Sequence, residues 1–389
     1  MSVIASANVM PVLLTTLYQQ NLESGASIDP LPGTVGALLS PENKQYGEAI
    51  QNVNAMGQVT SLRVSYKQPF EADDFSEDFT CGEDSTVNPW LEETFQPDSY
   101  IEHLFKIEES RLRTYMAYWS EIVKLIPGFA QMGPMGVQVA MNGLIQRGVA
   151  TAAFEGLREL GLDLKNEFRA FVDKYNQVLL PMLEAGAGAW KGGAAGASVA
   201  YTIQNAASYA TGGGSAAADG IFALQENIQK LRRRGNPHIV HDYGAYNRIA
   251  SRNPNNFSGS QQGINFSTVA LLGDFFRGYL DEFAADTLGA NKAVIISPGA
   301  ALLAQAPQYK MFGKIGIVER LTIDIPSVPG LTADVTVTPV ACDAETNQGA
   351  YVIKLSANFG LWTAPLDMFK ASSPFYQTNG IVIAELLQA

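Results

Sequence analysis

Residues 59–98 read VTSLRVSYKQPFEADDFSEDFTCGEDSTVNPWLEETFQPD, and the order of features in this stretch decides the fold. Val59 to Lys67 alternates in strand fashion through Leu62, Val64 and Tyr66. Acids follow: Glu71, Asp73, Asp74, Glu77, Asp78, Glu83, Asp84, Glu92, Glu93 and Asp98, against only Arg63 and Lys67 between positions 61 and 100. That local balance of −8 supplies most of the chain's net charge of −12. Phe70, Phe75, Phe79, Trp90 and Phe95 are interleaved with the acids, unlike a solvated acidic tail, which is poor in aromatics. The stretch reads as a long, protruding hairpin. Its acids lack the spaced Asp/Asn-Gly-Glu pattern of a calcium loop, so they read as solvated or partner-facing.

Upstream, residues 1–58 read as an arm. Pro30, Pro32, Gly33, Gly36 and Pro41 interrupt its first part, which is expected to be extended. Ser40-Pro41-Glu42 is a helix start, with Ser40 as N-cap and Pro41 at the first helical position, and the helix is expected to reach about Ala55. The first basic residue is Lys44, so the apolar first eighteen residues lack the positive region of a secretory signal. No run reaches the roughly 18 apolar residues of a membrane helix. The sequence therefore predicts a protein that is neither exported nor membrane-bound.

Downstream, apolar residues keep a helical period from Ile101 to Leu125, with Glu109 and Arg113 one turn apart on the polar side. The period returns over 164–183 through Phe168, Phe171, Val172, Tyr175, Val178, Leu179 and Met182, and Pro181 is expected to kink or end that helix. The stretch 127–160 reads as helical in pieces. Residues 185–220 hold nine Gly and thirteen Ala, which predicts a small-residue helix over 197–210 between flexible glycines, followed by a helix over 219–234. Strands are expected at His238–Val240, Ala293–Ser297, Lys314–Ile325, Asp334–Val340, Tyr351–Asn358 and Ile381–Leu386. The fold class is α+β, with helices in the middle and strands late.

The chain has 389 residues, of which 47% are hydrophobic and only 16% charged, against about 25% charged in ordinary soluble domains. Such a chain buries a core without staples, and its charge deficit implies that much of its surface is covered. An acidic balance of 38 Asp+Glu to 26 Lys+Arg excludes an electrostatic grip on nucleic acid. Cys81 and Cys342 form no disulfide framework and read as reduced thiols.

Candidate chemistry is sparse. His238, His241 and Asp242 form the one tempting ligand cluster, but Pro237, Ile239, Val240 and Gly244 favour a strand there. Residues three apart on a strand face opposite sides, and Zn²⁺ needs a third ligand, for which the only other histidine is His103. Arg232-Arg233-Arg234-Gly235 reads as a helix C-terminus. Gly212-Gly213-Gly214 lacks the Gly-Lys-Ser/Thr of a phosphate loop and reads as a hinge. Ser297-Pro298-Gly299 has no base nearby in sequence. No catalytic, cofactor-binding or metal-binding residue is assigned, and the chain reads as no enzyme. A metal-dependent hydrolase using His238, His241 and Asp242 is the weaker rival.

The order of arm, acidic hairpin, long helices, small-residue region, mixed α/β part and closing strand resembles the major capsid proteins of tailed bacteriophages, the Hong Kong-type coat fold shared with encapsulin shells. Three stretches carry the resemblance: Gly235-Asn236-Pro237-His238-Ile239-Val240-His241-Asp242, Ala293-Val294-Ile295-Ile296-Ser297-Pro298-Gly299-Ala300 and Asn379-Gly380-Ile381-Val382-Ile383-Ala384-Glu385. The resemblance implies an N-arm over 1–58 and an E-loop over 59–98. It also implies a P-domain with a long spine helix over 99–190 and 340–389, and an A-domain over 191–339. It implies self-assembly of many copies, as hexamers and pentamers, into an icosahedral shell around a double-stranded DNA genome that is enclosed without sequence-specific binding. Portal and scaffolding or decoration proteins are the implied partners, no cofactor is implied, and the place is the virion, assembled in the host cytoplasm. An encapsulin-type compartment is the alternative within the same fold. A phage tail-tube protein would be shorter and more uniformly β.

Overall fold

The computed structural model of the chain describes residues 33–45, 47–53, 59–67, 90–125, 151–188, 198–203, 220, 223–224, 236–245, 277–307, 313–315, 318–325, 328–340, 349–364 and 379–388. They fall into two compact units, one of residues 99–174 and 305–358, the other of 33–98, 175–304 and 359–388.

In the first unit, strand β4 (Ser99–Glu108) leads into helix α3 (Glu109–Leu125). The expected helix from Ile101 is therefore corrected over its first eight residues. Ile101 and Ile107 are buried and Glu102, Leu104, Lys106 and Glu108 exposed, a period of two that the helical pattern masked. The helix starts where that alternation ends, and the expected Glu109–Arg113 pair forms on its first turn, with Arg113 Nε donating to Glu109 Oε1 at 3.1 Å. Helix α4 (Thr151–Ala185) is longer than expected, about 50 Å at 1.5 Å per residue. Its stretch 160–174 buries Leu160, Leu164, Phe168, Phe171 and Val172. Pro181 neither ends it nor shortens it before Ala185; a proline four residues from a helix end forfeits one backbone bond, which the buried Leu179, Leu180 and Leu183 around it offset.

The late strands of this unit are β10 (Gly313–Ile315), β11 (Val318–Asp324), β12 (Thr332–Val340) and the start of β13 (Ala350–Thr363). The sheet order is β10-β11-β12-β13-β4; the end of β13, 359–363, belongs to the second unit and there pairs with β9 (Ala301–Gln305). The single strand expected over 314–325 is thus two strands, β10 and β11, which pair antiparallel with Ile315 opposite Val318, so that each covers an edge of the other. Val335 lies opposite Leu355 and Val337 opposite Ile353, and these four side chains are buried. Between β11 and β12, Val328-Pro329-Gly330-Leu331 closes with Leu331 N–H donating to the Val328 carbonyl at 3.0 Å and Gly330 at φ +85°, the proline-glycine reversal its sequence dictates.

The second unit opens with helix α1 (Gly33–Leu38) and helix α2 (Pro41–Lys44). The expected extended chain before Ser40 is corrected by α1, which buries Val35, Ala37 and Leu38. The expected cap is present: Ser40 Oγ accepts from Asn43 N–H and Pro41 opens the helix. The helix does not continue to Ala55. Strand β1 (Gly47–Val53) replaces it and pairs antiparallel with β2 (Val59–Lys67), Ala49 opposite Val64. Helix-compatible residues adopt a strand here because a nonlocal partner overrides weak local propensity. Strand β3 (Trp90–Phe95) pairs with β2, Leu62 opposite Phe95 and Lys67 opposite Trp90, as the hairpin reading requires.

A five-stranded sheet has the order β5-β14-β8-β6-β7, from β5 (Val199–Ile203), β14 (Ile381–Gln388), β8 (Lys292–Ile296), β6 (His238–His241) and β7 (Arg277–Leu280). Strand β5 corrects the expected helix over 197–210: its Val-Ala-Tyr-Thr-Ile run pairs parallel to β14, where β-branched and aromatic residues fit. Ile381–Ala384 and Ala293–Ile296 are buried along their whole length, so these continuous apolar runs are strands covered on both faces. Strand β14 pairs with residues 199–203 and 292–296, an interior position that covers both faces of Ile-Val-Ile-Ala.

Gly156 sets how closely α3 and α4 approach. A Cβ there would lie 2.2 Å from Cε2 of Tyr118. Gly156→Ala gains about 1 kcal/mol of helix propensity and incurs an overpacking cost of about 1–3 kcal/mol, so the clash wins. Urea unfolding is expected to show destabilisation by Gly156→Ala, and stabilisation by the same change in a Tyr118→Ala background.

Candidate functional site

His238 and His241 are buried at the two ends of β6. His238 Nε2 lies 2.9 Å from Ser40 Oγ, and its ring meets Tyr279 edge-on at 5.4 Å. His241 Nδ1 donates to the Asp242 carbonyl at 3.1 Å, and Asp242 Oδ1 accepts Ala245 N–H at 2.7 Å. Each group of this cluster is thus engaged in local structure, and among the described residues no set of three or more His, Cys, Asp or Glu converges as metal ligands. Burial holds the His241 imidazole below its ordinary range.

A denser construction lies around α1 and α2. Thr34 N–H and Oγ1 both donate to Asp281 Oδ2, at 3.1 and 2.6 Å, and Phe283 N–H donates to Asp281 Oδ1 at 3.0 Å. Val35 N–H donates to Asn176 Oδ1 at 3.0 Å. These bonds occupy the first donors of a short helix, which have no partner within it. Gly33, at φ +50°, is required here, because a Cβ would stand 2.6 Å from Asn176 Nδ2. Asn43 Nδ2 donates to the carbonyls of Leu38 and Ala301 at 2.8 and 2.7 Å, while its Oδ1 accepts Gly299 N–H at 2.7 Å. The segment 33–44 is therefore clasped to Asp281 just after β7, to Gly299 and Ala301 at the start of β9, and to α4 by side chains that stand in for backbone. Burial pushes the Asp281 carboxyl up, partly opposed by the Thr34 and Phe283 donors, with Glu282 adding to the rise.

The acidic hairpin is fixed at its base. Trp362 Nε1–H donates to Glu93 Oε2 at 2.6 Å, and a Cβ on Gly360 would lie 2.6 Å from Cε2 of Phe95. Across the strands, Arg63 pairs with Glu92 at 3.1 Å. The connection 68–89, with most of the acids and Cys81, lies outside the described residues, as do Gly212–Gly214, Arg232–Arg234 and Cys342.

On the first unit, β4 presents Tyr100 and Leu104, 49% and 52% exposed. Glu102 between them pairs with Lys354 at 2.8 Å, and the Lys354 and Tyr100 hydrogen bonds hold its carboxyl below the ordinary range. The other face of β4 meets α4, where His103 Nε2 lies 2.6 Å from Glu167 Oε2. Alongside, a groove of about 390 Å³ runs between β4, α3 and α4, floored by Phe105, Ile107, Leu160 and Leu164 and bridged by an Arg111–Asp163 pair at 2.9 Å.

Sequence reasoning found Ser40 but missed Thr34, Asn43, Asn176, Asp281 and Asn379. Their partners lie far along the chain, and a lone Asn or Asp carries no signal of burial. Ser297 lies at the end of β8, as expected, and is buried with its N–H on the Gly380 carbonyl at 2.8 Å.

No protein-family model matches the chain, and no curated protein matches it. Among solved structures it is similar to one titled Mycobacterium phage Che8, at 11% identity over 87% of this chain and 92% of that one, with a TM-score of 0.28. It is also similar to the capsid structure of the cyanophage P-SCSP1u, at 9% identity over 87% and 85% of the two chains, with a TM-score of 0.35. Both are matched along most of their length but do not superpose closely.

Two outcomes follow from the clasp. Asn43→Ala strands the Gly299 N–H and the Ala301 carbonyl and is expected to cost about 2–4 kcal/mol, against about 1 kcal/mol for loss of the cap in Ser40→Ala, both read by urea unfolding. Asp281, its carboxyl raised, stabilises the fold most below about pH 3.9 and loses that contribution as pH rises through its folded value. His241, depressed, contributes above about pH 6.5 and loses it as pH falls. The two oppose, so Asp281→Asn should make stability climb more steeply between about pH 4 and pH 7, measured as urea midpoints across that range.

Proposed function

We propose that this chain is the coat subunit of a tailed bacteriophage, a structural protein whose copies build the icosahedral shell that encloses the double-stranded DNA genome. The observation that carries the reading is the hairpin. Strands β2 and β3 are paired and fixed at their base by Glu93–Trp362 and Phe95–Gly360, and in sequence the residues that join them, 68–89, hold most of the hairpin's acids and aromatics. A chain that concentrates charge and aromatics in one connection, and leaves the rest poor in charge, suits a subunit that overlaps its neighbours.

In this reading 1–58 is the N-arm, 59–98 the E-loop, and 99–190, with the spine helix α4, forms the P-domain together with 340–389. The A-domain is 191–339. Hexamers and pentamers of the chain meet portal and scaffolding or decoration proteins in the host cytoplasm. The acidic coat holds DNA by enclosure rather than by contact, since phosphate affinity requires clustered bases.

Electron microscopy of the purified protein, alone and with a scaffolding partner, is expected to show closed shells. Deleting 70–87, which spares both hairpin strands, should leave soluble folded protein that forms none. Persistent monomers of the intact chain under every assembly condition would overturn the shell reading. Normal shells from the deletion would overturn the role of the hairpin. Shells that hold an enzyme cargo in place of DNA would move the assignment to an encapsulin.

A further inference from the structure

Asn379 precedes Gly380, the pairing in which a backbone nitrogen reaches a side-chain amide with least hindrance, because glycine has no Cβ. The chain has one other such pair, Asn142-Gly143. Asn379 is 1% exposed, and both ends of its amide are held. Its Oδ1 accepts the N–H groups of Gly188 and Ile381 at 3.0 and 3.2 Å, and its Nδ2 donates to the carbonyls of Gly186 and Ala364 at 2.7 and 3.0 Å. Gly380 has φ +88°, and its carbonyl is held by Ser297 N–H at 2.8 Å. This single side chain knits the end of α4, the end of β13 and the start of β14.

We propose that Asn379-Gly380 is an opening-gated deamidation site, silent while β14 sits in its sheet and irreversible once β14 has left it. In the reaction the Gly380 nitrogen attacks Cγ of Asn379 and gives up its proton. A bond from that nitrogen to Cγ forms, and the Cγ–Nδ2 bond breaks with loss of ammonia. Water then opens the cyclic imide at either carbonyl, giving aspartate or isoaspartate, with no change of oxidation state. In the closed sheet Cγ is tied to four partners and cannot swing onto the Gly380 nitrogen, and the site is closed to the water that the second step consumes.

The products cannot take the amide's place. An aspartate at 379 sets carboxylate oxygens against the Gly186 and Ala364 carbonyls, acceptor against acceptor, and buries a charge where the amide was neutral. Isoaspartate adds a main-chain atom where Gly380 turns. Opening of β14 is therefore recorded covalently, and a subunit once opened is withdrawn from the folded pool. The inference depends only on the second unit's own geometry and stands whether or not the chain builds shells.

The test uses the full chain, incubated at mildly alkaline pH in native buffer and in sub-denaturing urea, with peptide mass spectrometry resolving Asn379 from Asn142. A synthetic peptide spanning 375–386 supplies the unprotected rate. Conversion at 379 in native buffer should be roughly 100-fold or more slower than in the peptide, since modification then tracks the small opened population, and should approach the peptide rate in urea. After urea removal the converted fraction should fail to regain the melting temperature of unconverted protein. Native conversion at the peptide rate would overturn the gating, and full recovery of melting by converted protein would overturn the irreversibility. Asn379→Asp supplies the product directly and should melt lower; if it does not fold, the wild-type arms still decide.

Discussion

The second unit depends on the seating of β14. Residues 381–388 lie between β8, antiparallel, and β5, parallel, so the sheet's interior is filled by a segment more than 80 residues from one partner and more than 170 from the other. Val294 opposite Ile383 and Ile295 opposite Val382 bring four buried branched side chains together. Until that pairing forms, β5 has no neighbour in its sheet and β8 loses one of two. Such nonlocal pairing closes late and at high entropic cost, which makes it the step that fixes the whole sheet.

Two buried asparagines carry that logic into the connections. Asn43 and Asn379 each satisfy backbone donors and acceptors from segments that meet outside any ladder. An asparagine amide has the donor and acceptor of a peptide group on a short stem, so it completes hydrogen bonding where strands and helices end. With Asp281 and Asn176 holding the first turn of α1, the chain crossings of this unit are polar, buried and satisfied. Networks of this kind fix one arrangement because any partial version leaves groups unpaired in the interior. In the first unit the corresponding role falls to packing: Gly156 against Tyr118, and the opposed Val335, Leu355, Val337 and Ile353.

Much of the fold was legible. The hairpin of 59–95, the helix through Phe168 to Leu183 and the strands at 238, 293, 334, 351 and 381 follow from periodicity and composition alone. The misreadings share one cause. Residues 47–53, 101–108 and 199–203 each contain residues compatible with helix, and each became a strand because a strand elsewhere in the chain offered an edge. For 101–108 the signal was present, since Ile101, His103, Phe105 and Ile107 alternate with Glu102, Leu104, Lys106 and Glu108, but the helical run beyond it imposed its period. The clasp was not legible at all: Thr34, Asn176 and Asp281 are isolated polar residues whose meaning lies in partners up to 247 positions away.

By itself the sequence determined the α+β class, the concentration of charge in one hairpin, the long helix and the buried character of Ile-Val-Ile-Ala, because periodicity and composition are local quantities. Only the tertiary structure decided which sheet receives β14, where strand yields to helix at Glu109, and which polar residues are buried. Those are settled by edges, partners and desolvation, which exist only once distant segments meet. The acidic hairpin joins the two levels: its charge is written in the sequence, and its anchorage on Gly360 and Trp362 is a property of the fold.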